Sequence, residues 1–302
     1  MTSPDPKGVA LITGASSGIG AIYADRLARR GYDLILVARN RDRLQQLAGR
    51  LAHETGRSVE TLAADLEDAA DLARVEDRLR TDPAITLLVN NAGVGAVAPL
   101  LESDVDQMTR MISLNAVALT RLTYAAVPGF VARGRGGLIN IASIVALSPE
   151  TLNGVYGASK AFVLAFSQSL QHELADKGVR VQAVLPGATS TAFWDAAGLP
   201  VEHLPSEWVM DADAMVDAAL AGFDLGEVVT IPPLADGGEW DAYEAARRAM
   251  SDHLSASVPA ERYRSPRPQA AARPASDQAR ILAGSSAMSM GLATQSSMPA
   301  SA

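Results

Sequence analysis

Val9-Ala10-Leu11-Ile12-Thr13-Gly14-Ala15-Ser16-Ser17-Gly18-Ile19-Gly20 is the stretch on which the fold reading turns. A short apolar run stops at Thr13, three glycines follow within seven residues, and an amphipathic segment begins at Ile19. A run of that length bounded by glycine reads as a buried strand, and the segment after it as a helix. Glycines at the junction let the backbone turn tightly, so that free N–H groups and the positive end of the helix can face an anion. The same alternation continues outward to about residue 231. Strands are predicted at 9–13, 33–38, 58–63, 86–90, 137–141, 179–185 and 227–231. Helices are predicted at 19–30, 41–55, 68–80, 104–132, 155–177, about 212–223 and 239–250. Most strands are dominated by Val, Ile, Leu and Ala, as strands covered on both faces are. The pattern predicts an α/β fold: a single doubly wound parallel sheet of about seven strands, with helices on both faces.

Gly14, Gly18 and Gly20 are spaced G-x-x-x-G-x-G rather than G-x-G-x-x-G. In that spacing, and in the motifs below, the chain resembles the short-chain dehydrogenase/reductase family over about residues 7 to 250, with a Rossmann-type sheet. The resemblance implies a dinucleotide held by the loop of Gly14, Ser16, Ser17, Gly18, Ile19 and Gly20. It further implies Asp65, followed by Leu66, at the adenine, and Asn91 with Ala92 and Gly93 beside the adenosine half. Asn91 has a second reading as a loop-capping side chain. After the sixth strand, Pro186-Gly187-Ala188-Thr189-Ser190-Thr191 resembles the family's Pro-Gly-x-x-x-Thr loop, which implies Pro186, Gly187 and Thr191 at the nicotinamide amide and phosphates.

The end of the second strand selects the nucleotide. NAD-binding folds usually carry a carboxylate there for the ribose hydroxyls. This chain has Val37-Ala38-Arg39, and a guanidinium can pair bidentately with a 2′-phosphate. Arg39 therefore points to NADP; the alternative is an ordinary surface arginine beside Arg41 and Arg43.

Tyr156-Gly157-Ala158-Ser159-Lys160 opens a helix, and the i to i+4 spacing sets phenol and ammonium on one face, one turn apart. A nearby cation favours phenolate, so a partly desolvated ammonium together with the nicotinamide cation is expected to bring the phenol's pKa down toward neutrality. Ser143 ends the fifth strand thirteen positions ahead of Tyr156. By resemblance, Ser143 orients and polarises a carbonyl and Tyr156 donates the proton. The resemblance likewise implies that Lys160 assists Tyr156 and grips the nicotinamide ribose. It also implies that Asn115, in Ser113-Leu114-Asn115-Ala116, holds a proton-relay water.

The segment expected to fold over the substrate, about 187–225, offers Phe193, Trp194, Leu199, Leu204, Trp208 and Met210, and no Lys or Arg occurs between Val181 and Ala246. Without a bidentate clamp for an anion, the expected partner is a small uncharged, largely apolar ketone, aldehyde or secondary alcohol. The aromatics could equally pack the covering segment onto the core. Residues 161–166 make a helix apolar all round, predicting either intramolecular cover or a homodimer or homotetramer. The formal charge of -8 argues against nucleic acid and anionic membrane surfaces, and no run has the length of a membrane span. The absence of Cys excludes disulfides and thiolate chemistry. No metal site is expected. With no leader pattern at the start, the expected location is cytoplasmic. Residues 1–263 are expected to form the NADP-binding domain, and 264–302, rich in Ser, Ala, Pro, Gln and Met, a disordered tail. Two competing functions are a 3-oxoacyl reductase, with Arg133 and Arg135 greeting an acidic carrier protein, and an NADP(H)-sensing regulator.

Overall fold

Side chains alternate across the sheet so cleanly that neighbours in one strand serve different cores. Ala10 and Ile12 pack on one face with Leu34, Leu36, Val89 and Ile139, while Leu11 packs on the other with Ile35, Val37, Leu88 and Leu138. These residues lie on β1 (Val9–Thr13), β2 (Asp33–Ala38), β4 (Ile85–Asn90) and β5 (Gly136–Ile141) of a computed structural model that describes residues 7–264. With β3 (Val59–Ala63), β6 (Val179–Val184) and β7 (Val229–Thr230) they form a seven-stranded sheet. Its order is β3-β2-β1-β4-β5-β6-β7, and every neighbouring pair is parallel. Strand order reverses between β1 and β4, which opens a crevice beyond the carboxyl ends of the strands. The expected doubly wound α/β sheet is what forms. Strand β7 is shorter than the expected 227–231, because Gly226 ends the preceding helix in the left-handed region and only Val229 and Thr230 reach β6.

Helices α1 (Gly18–Arg29), α2 (Arg41–Thr55) and α8 (Ala212–Leu225) cover the first face. Helices α3 (Ala69–Thr81), α5 (Leu119–Ala132) and α6 (Gly154–Leu174) cover the second. Side-chain caps start most of them: Asn40 on α2, Asp68 on α3, Asp104 on α4 (Val105–Ile112), Asn153 on α6 and Asp211 on α8. The single helix expected over 104–132 is interrupted. Ser113–Ala118 is a π-helical stretch between α4 and α5, the irregularity that seats Asn115. The covering segment is also shorter than 187–225, because Met215, Val216, Ala219 and Leu220 of α8 belong to the core.

The described residues fall into two compact units with the boundary after Ala235, so the single domain expected over 1–263 divides there. In the second unit α9 (Gly237–Ala249) buries Glu244, which pairs with Arg247 and Arg248, and stacks Trp240 on Tyr243. Among the described residues no helix is long and apolar enough to cross a membrane. The expectations for the leader and the tail fall on residues 1–6 and 265–302, outside the described residues.

Candidate active site

At the crevice, Gly14 and Gly18 take φ of 65° and 51°, conformations that a side chain would strain. Gly20 serves packing instead: a Cβ there would run into the Gly14 carbonyl oxygen and the Asn91 amide. Ser17 is the N-cap of α1, yet its side chain makes no capping hydrogen bond, and the first turn carries no acidic residue. The other long helices that begin after a loop have a side chain on their first N–H groups; α1 leaves its own for an outside anion. Ser16 and Ile19 flank this open turn, half-buried. Arg39, past the end of β2, is exposed and makes no ion pair among the described residues. A cradle of backbone amides with a free guanidinium near it suits a dinucleotide carrying a 2′-phosphate.

The amide of Asn91 is largely spent on the loop. Its Nδ2 donates to the carbonyls of Thr13 at 2.9 Å and Gly14 at 3.3 Å, and the backbone N–H groups of Asn91 and Ala92 both donate to Thr13 Oγ1 at 3.0 Å. Of its two expected roles, loop support is the one visible in its contacts. Asp65 sits half-buried after β3 and accepts from the Glu67 N–H, while the Leu66 side chain belongs to the second core. Thr191 lies against the glycine loop: a Cβ on Gly18 would be 3.3 Å from its methyl group. The loops after β1 and β6 therefore meet.

Ser143 follows β5, and its hydroxyl donates to the Pro186 carbonyl at 3.4 Å, a long contact that leaves it free to re-aim. Gly187 packs near Ile144 and Pro233. Asn153 accepts from the N–H groups of Val155 and Tyr156 and donates to the Ala98 carbonyl at 2.6 Å, fixing the start of α6 and so the phenol of Tyr156. One turn on, the Lys160 ammonium lies 5.8 Å from the centroid of the Tyr156 ring and donates to the Ile141 carbonyl at 2.9 Å. It also approaches Gly93, where a Cβ would stand 3.5 Å from Nζ and 3.1 Å from Asn115 Oδ1. Asn115 accepts from the Val94 N–H at 3.0 Å and donates to the Val94 carbonyl at 2.9 Å and Ser159 Oγ at 3.0 Å. Both its donors are engaged, so for a water it offers only the second lone pair of Oδ1.

In the chain by itself, burial governs both protonation states, against the direction expected when ammonium and nicotinamide cation act together. Burial pushes the Tyr156 phenol up to about 12, and the opposing hydrogen bond with Ser143 does not offset it. Burial pulls Lys160 down to about 8. The ammonium lies over the ring and donates to a carbonyl, while loss of water acts on both groups at once.

Beside Tyr156 lies an apolar cluster that the motifs do not announce: Ala96, Met108, Met111 and Val145, with Leu152 and Phe193 packed against it. Met108 and Met111 share a face of α4, a helical spacing legible in sequence but equally typical of core. Of the expected covering residues, Phe193 and Trp194, on α7 (Phe193–Ala197), face inward; Met210 pairs with Thr189, and Trp208 is exposed. Ser159 and Asn153, which hold Asn115 and Tyr156, were not singled out by sequence.

Comparison with known proteins agrees with this geometry. A family model described as short chain dehydrogenase matches residues 8–199. A short-chain dehydrogenase from Sphingobium yanoikuyae, solved in complex with NADPH, is 51% identical with a TM-score of 0.83, covering 85% of this chain and 99% of that one. A bulky-bulky ketone specific alcohol dehydrogenase from Comamonas testosteroni is 45% identical with a TM-score of 0.78, covering 85% and 98%. A very-long-chain 3-oxoacyl-CoA reductase of Anas platyrhynchos is 35% identical over 189 residues, 60% of each chain; the match thus spans about three fifths of the length of such curated relatives. With the glycine loop, the parallel sheet and the family match in agreement, the chain belongs to the short-chain dehydrogenase family.

Proposed function

We propose that this protein is an NADPH-dependent reductase of uncharged, largely apolar ketones which, in reverse, oxidises the matching secondary alcohols with NADP⁺. The observation that carries the reading is the apolar cluster of Ala96, Met108, Met111 and Val145 packed around the Tyr156 phenol. An anionic substrate would find no Lys or Arg from Val181 to Ala246 to hold it. The solved relatives named above, an NADPH complex and an alcohol dehydrogenase specific for bulky-bulky ketones, support the same choice of cofactor and substrate class.

The glycine loop from Gly14 to Gly20, Arg39, Asp65, Asn91, Lys160 and Thr191 would hold the nucleotide. When bound, NADPH supplies the hydride for the carbonyl carbon. The chain supplies the rest. Ser143 exchanges its long contact with Pro186 for the substrate oxygen. Tyr156, protonated at neutral pH with a pKa of about 12, delivers its proton to that oxygen as negative charge develops. Lys160, charged below about pH 8, stabilises the phenolate left behind. Asn115 bolts the strand-end segment at Val94 to Ser159 and so keeps the helix carrying Tyr156 at its height.

A long-chain 3-oxoacyl thioester is the second reading, favoured by the curated relatives. The arginine pair suggested for a carrier protein does not favour it. Arg133 donates to the Ile85 carbonyl at 2.9 Å, and both arginines precede β5, roughly 20 Å along the strand from Ser143 at its far end. Assembly is part of the proposal too. Val117, Tyr124 (69% exposed) and Phe162 (42% exposed, stacked on Phe166) present apolar surface on the π stretch, α5 and α6, which suits a homodimer.

The test is a panel assayed with NADPH and NADH: ketones bulky on both sides, small ketones, a 3-oxoacyl-CoA, and carboxylated carbonyls. Reduction of the uncharged bulky ketones with NADPH is expected. Turnover confined to the CoA thioester would replace the first reading by the second, and NADPH binding without any turnover would favour a regulator.

A further inference from the structure

Phe193 opens α7, and its ring points inward. It tilts against Tyr156 with centroids 5.9 Å apart and lies within the apolar cluster beside the phenol. The chain has left a seat for it. Gly95 is buried, and a Cβ there would land on Phe193 Cζ, with Cε1 and Cε2 each 3.1 Å away, so any larger residue must push the ring out. Its neighbour is held differently. The Trp194 indole donates to the Thr189 carbonyl at 3.0 Å and meets Phe193 edge-on at 5.8 Å. One aromatic is thus hydrogen-bonded to its loop; the other is kept in place by packing, against the residue that donates the proton.

We propose that Phe193 is a specificity-determining residue: its ring, seated on Gly95, occupies the place one ketone substituent must take, and yields it to a planar apolar group of similar size. The proposal rests on the ketone-reductase reading above. A substituent as large as a phenyl ring refills the cluster that the side chain leaves, so the site closes over the substrate as it closes over Phe193. A small dialkyl ketone cannot refill it and binds with the ring in place. Phe193 therefore taxes the binding of bulky ketones and contributes contact to small ones.

The experiment compares Phe193→Ala, Phe193→Leu, Gly95→Ala and the Gly95→Ala/Phe193→Ala double variant with a diaryl ketone and 2-butanone. In Phe193→Ala the KM for the diaryl ketone falls and that for 2-butanone rises, changing the ratio of kcat/KM values about tenfold, with kcat for the diaryl ketone largely kept. Phe193→Leu, which retains the packing of α7, shifts the ratio the same way by less. Gly95→Ala also shifts it, and adds nothing once Phe193 is Ala. If Phe193 only holds its loop, both KM values rise together, kcat falls and the ratio stays put; that result overturns the proposal. A second arm needs no turnover. Hydroxyl-radical labelling of Tyr156, referenced to the exposed Tyr124, should rise in Phe193→Ala and Gly95→Ala. Should the wild-type protein reduce no ketone, the reductase reading fails by itself; unchanged Tyr156 labelling then also refutes the claim that Phe193 covers the phenol.

Discussion

Replacing Lys160 by Met should stabilise the protein at neutral pH while disabling it. Lys160 is buried and its pKa falls from 10.5 to about 8, so the folded state tolerates the ammonium less well than the unfolded chain does. At about 1.36 kcal/mol per pKa unit, keeping the charge buried costs about 3 kcal/mol near pH 7. The hydrogen bond to the Ile141 carbonyl offsets part of that, and its loss costs the variant roughly 1–2 kcal/mol. Lys160→Met is therefore expected to be more stable than wild type by about 1–2 kcal/mol near pH 7. The sign follows from proton uptake. Between about pH 8 and 10.5 the unfolded lysine holds its proton while the folded one has released it, so wild-type stability gains on the variant as pH rises. Urea unfolding of both proteins without cofactor, at equal concentration and several pH values, measures the gap. Tyr156 titrates in both and cancels. The gap should shrink by most of the 3 kcal/mol and change sign by about pH 10.5. A gap that stays constant across this window would refute the claim that burial, rather than a charged partner, governs Lys160.

Three further outcomes are expected. Tyr23 buries its hydroxyl without a hydrogen-bond partner among the described residues, and burial raises its pKa; Tyr23→Phe should gain roughly 1–2 kcal/mol in urea unfolding, and a loss would mean the hydroxyl is satisfied. Arg39→Asp should weaken NADPH binding by at least about tenfold and leave NADH within about twofold, read by fluorescence titration; equal losses would remove the 2′-phosphate from Arg39. Ketone reduction should decline above about pH 8 as Lys160 loses its proton, and an alkaline limb near pH 10 would contradict the depressed pKa.

The sheet was legible because most of its strands are short runs rich in Val, Ile, Leu and Ala with Gly, Asn or Pro near at least one end, and the observed β1 and β2 begin and end where expected. The glycine loop was legible for the same reason: its spacing is local. What sequence hid is long-range. The π stretch at Ser113–Ala118 interrupts a pattern that reads as one helix, because its cause is the grip of Asn115 on Val94, twenty-one residues back. The i to i+4 spacing of Tyr156 and Lys160 put the two groups on one face but carried no information about burial, which sets both pKa values. The Met108–Met111 face of α4, Gly95 and Phe193 come from three separate segments, and only the folded chain joins them beside the phenol. The lack of Lys and Arg in the covering segment could be read in advance, since it needs no coordinates.

Tyr156→Phe tests the central claim most directly, because it removes one oxygen and leaves the ring packed in its cluster. With a bulky ketone and NADPH, kcat should fall by about 10²–10⁴-fold while NADPH binding, followed by its fluorescence, stays within about twofold of wild type. Reduction at a rate within about tenfold of wild type would show that the proton comes from elsewhere, and the assignment of Tyr156 would be wrong.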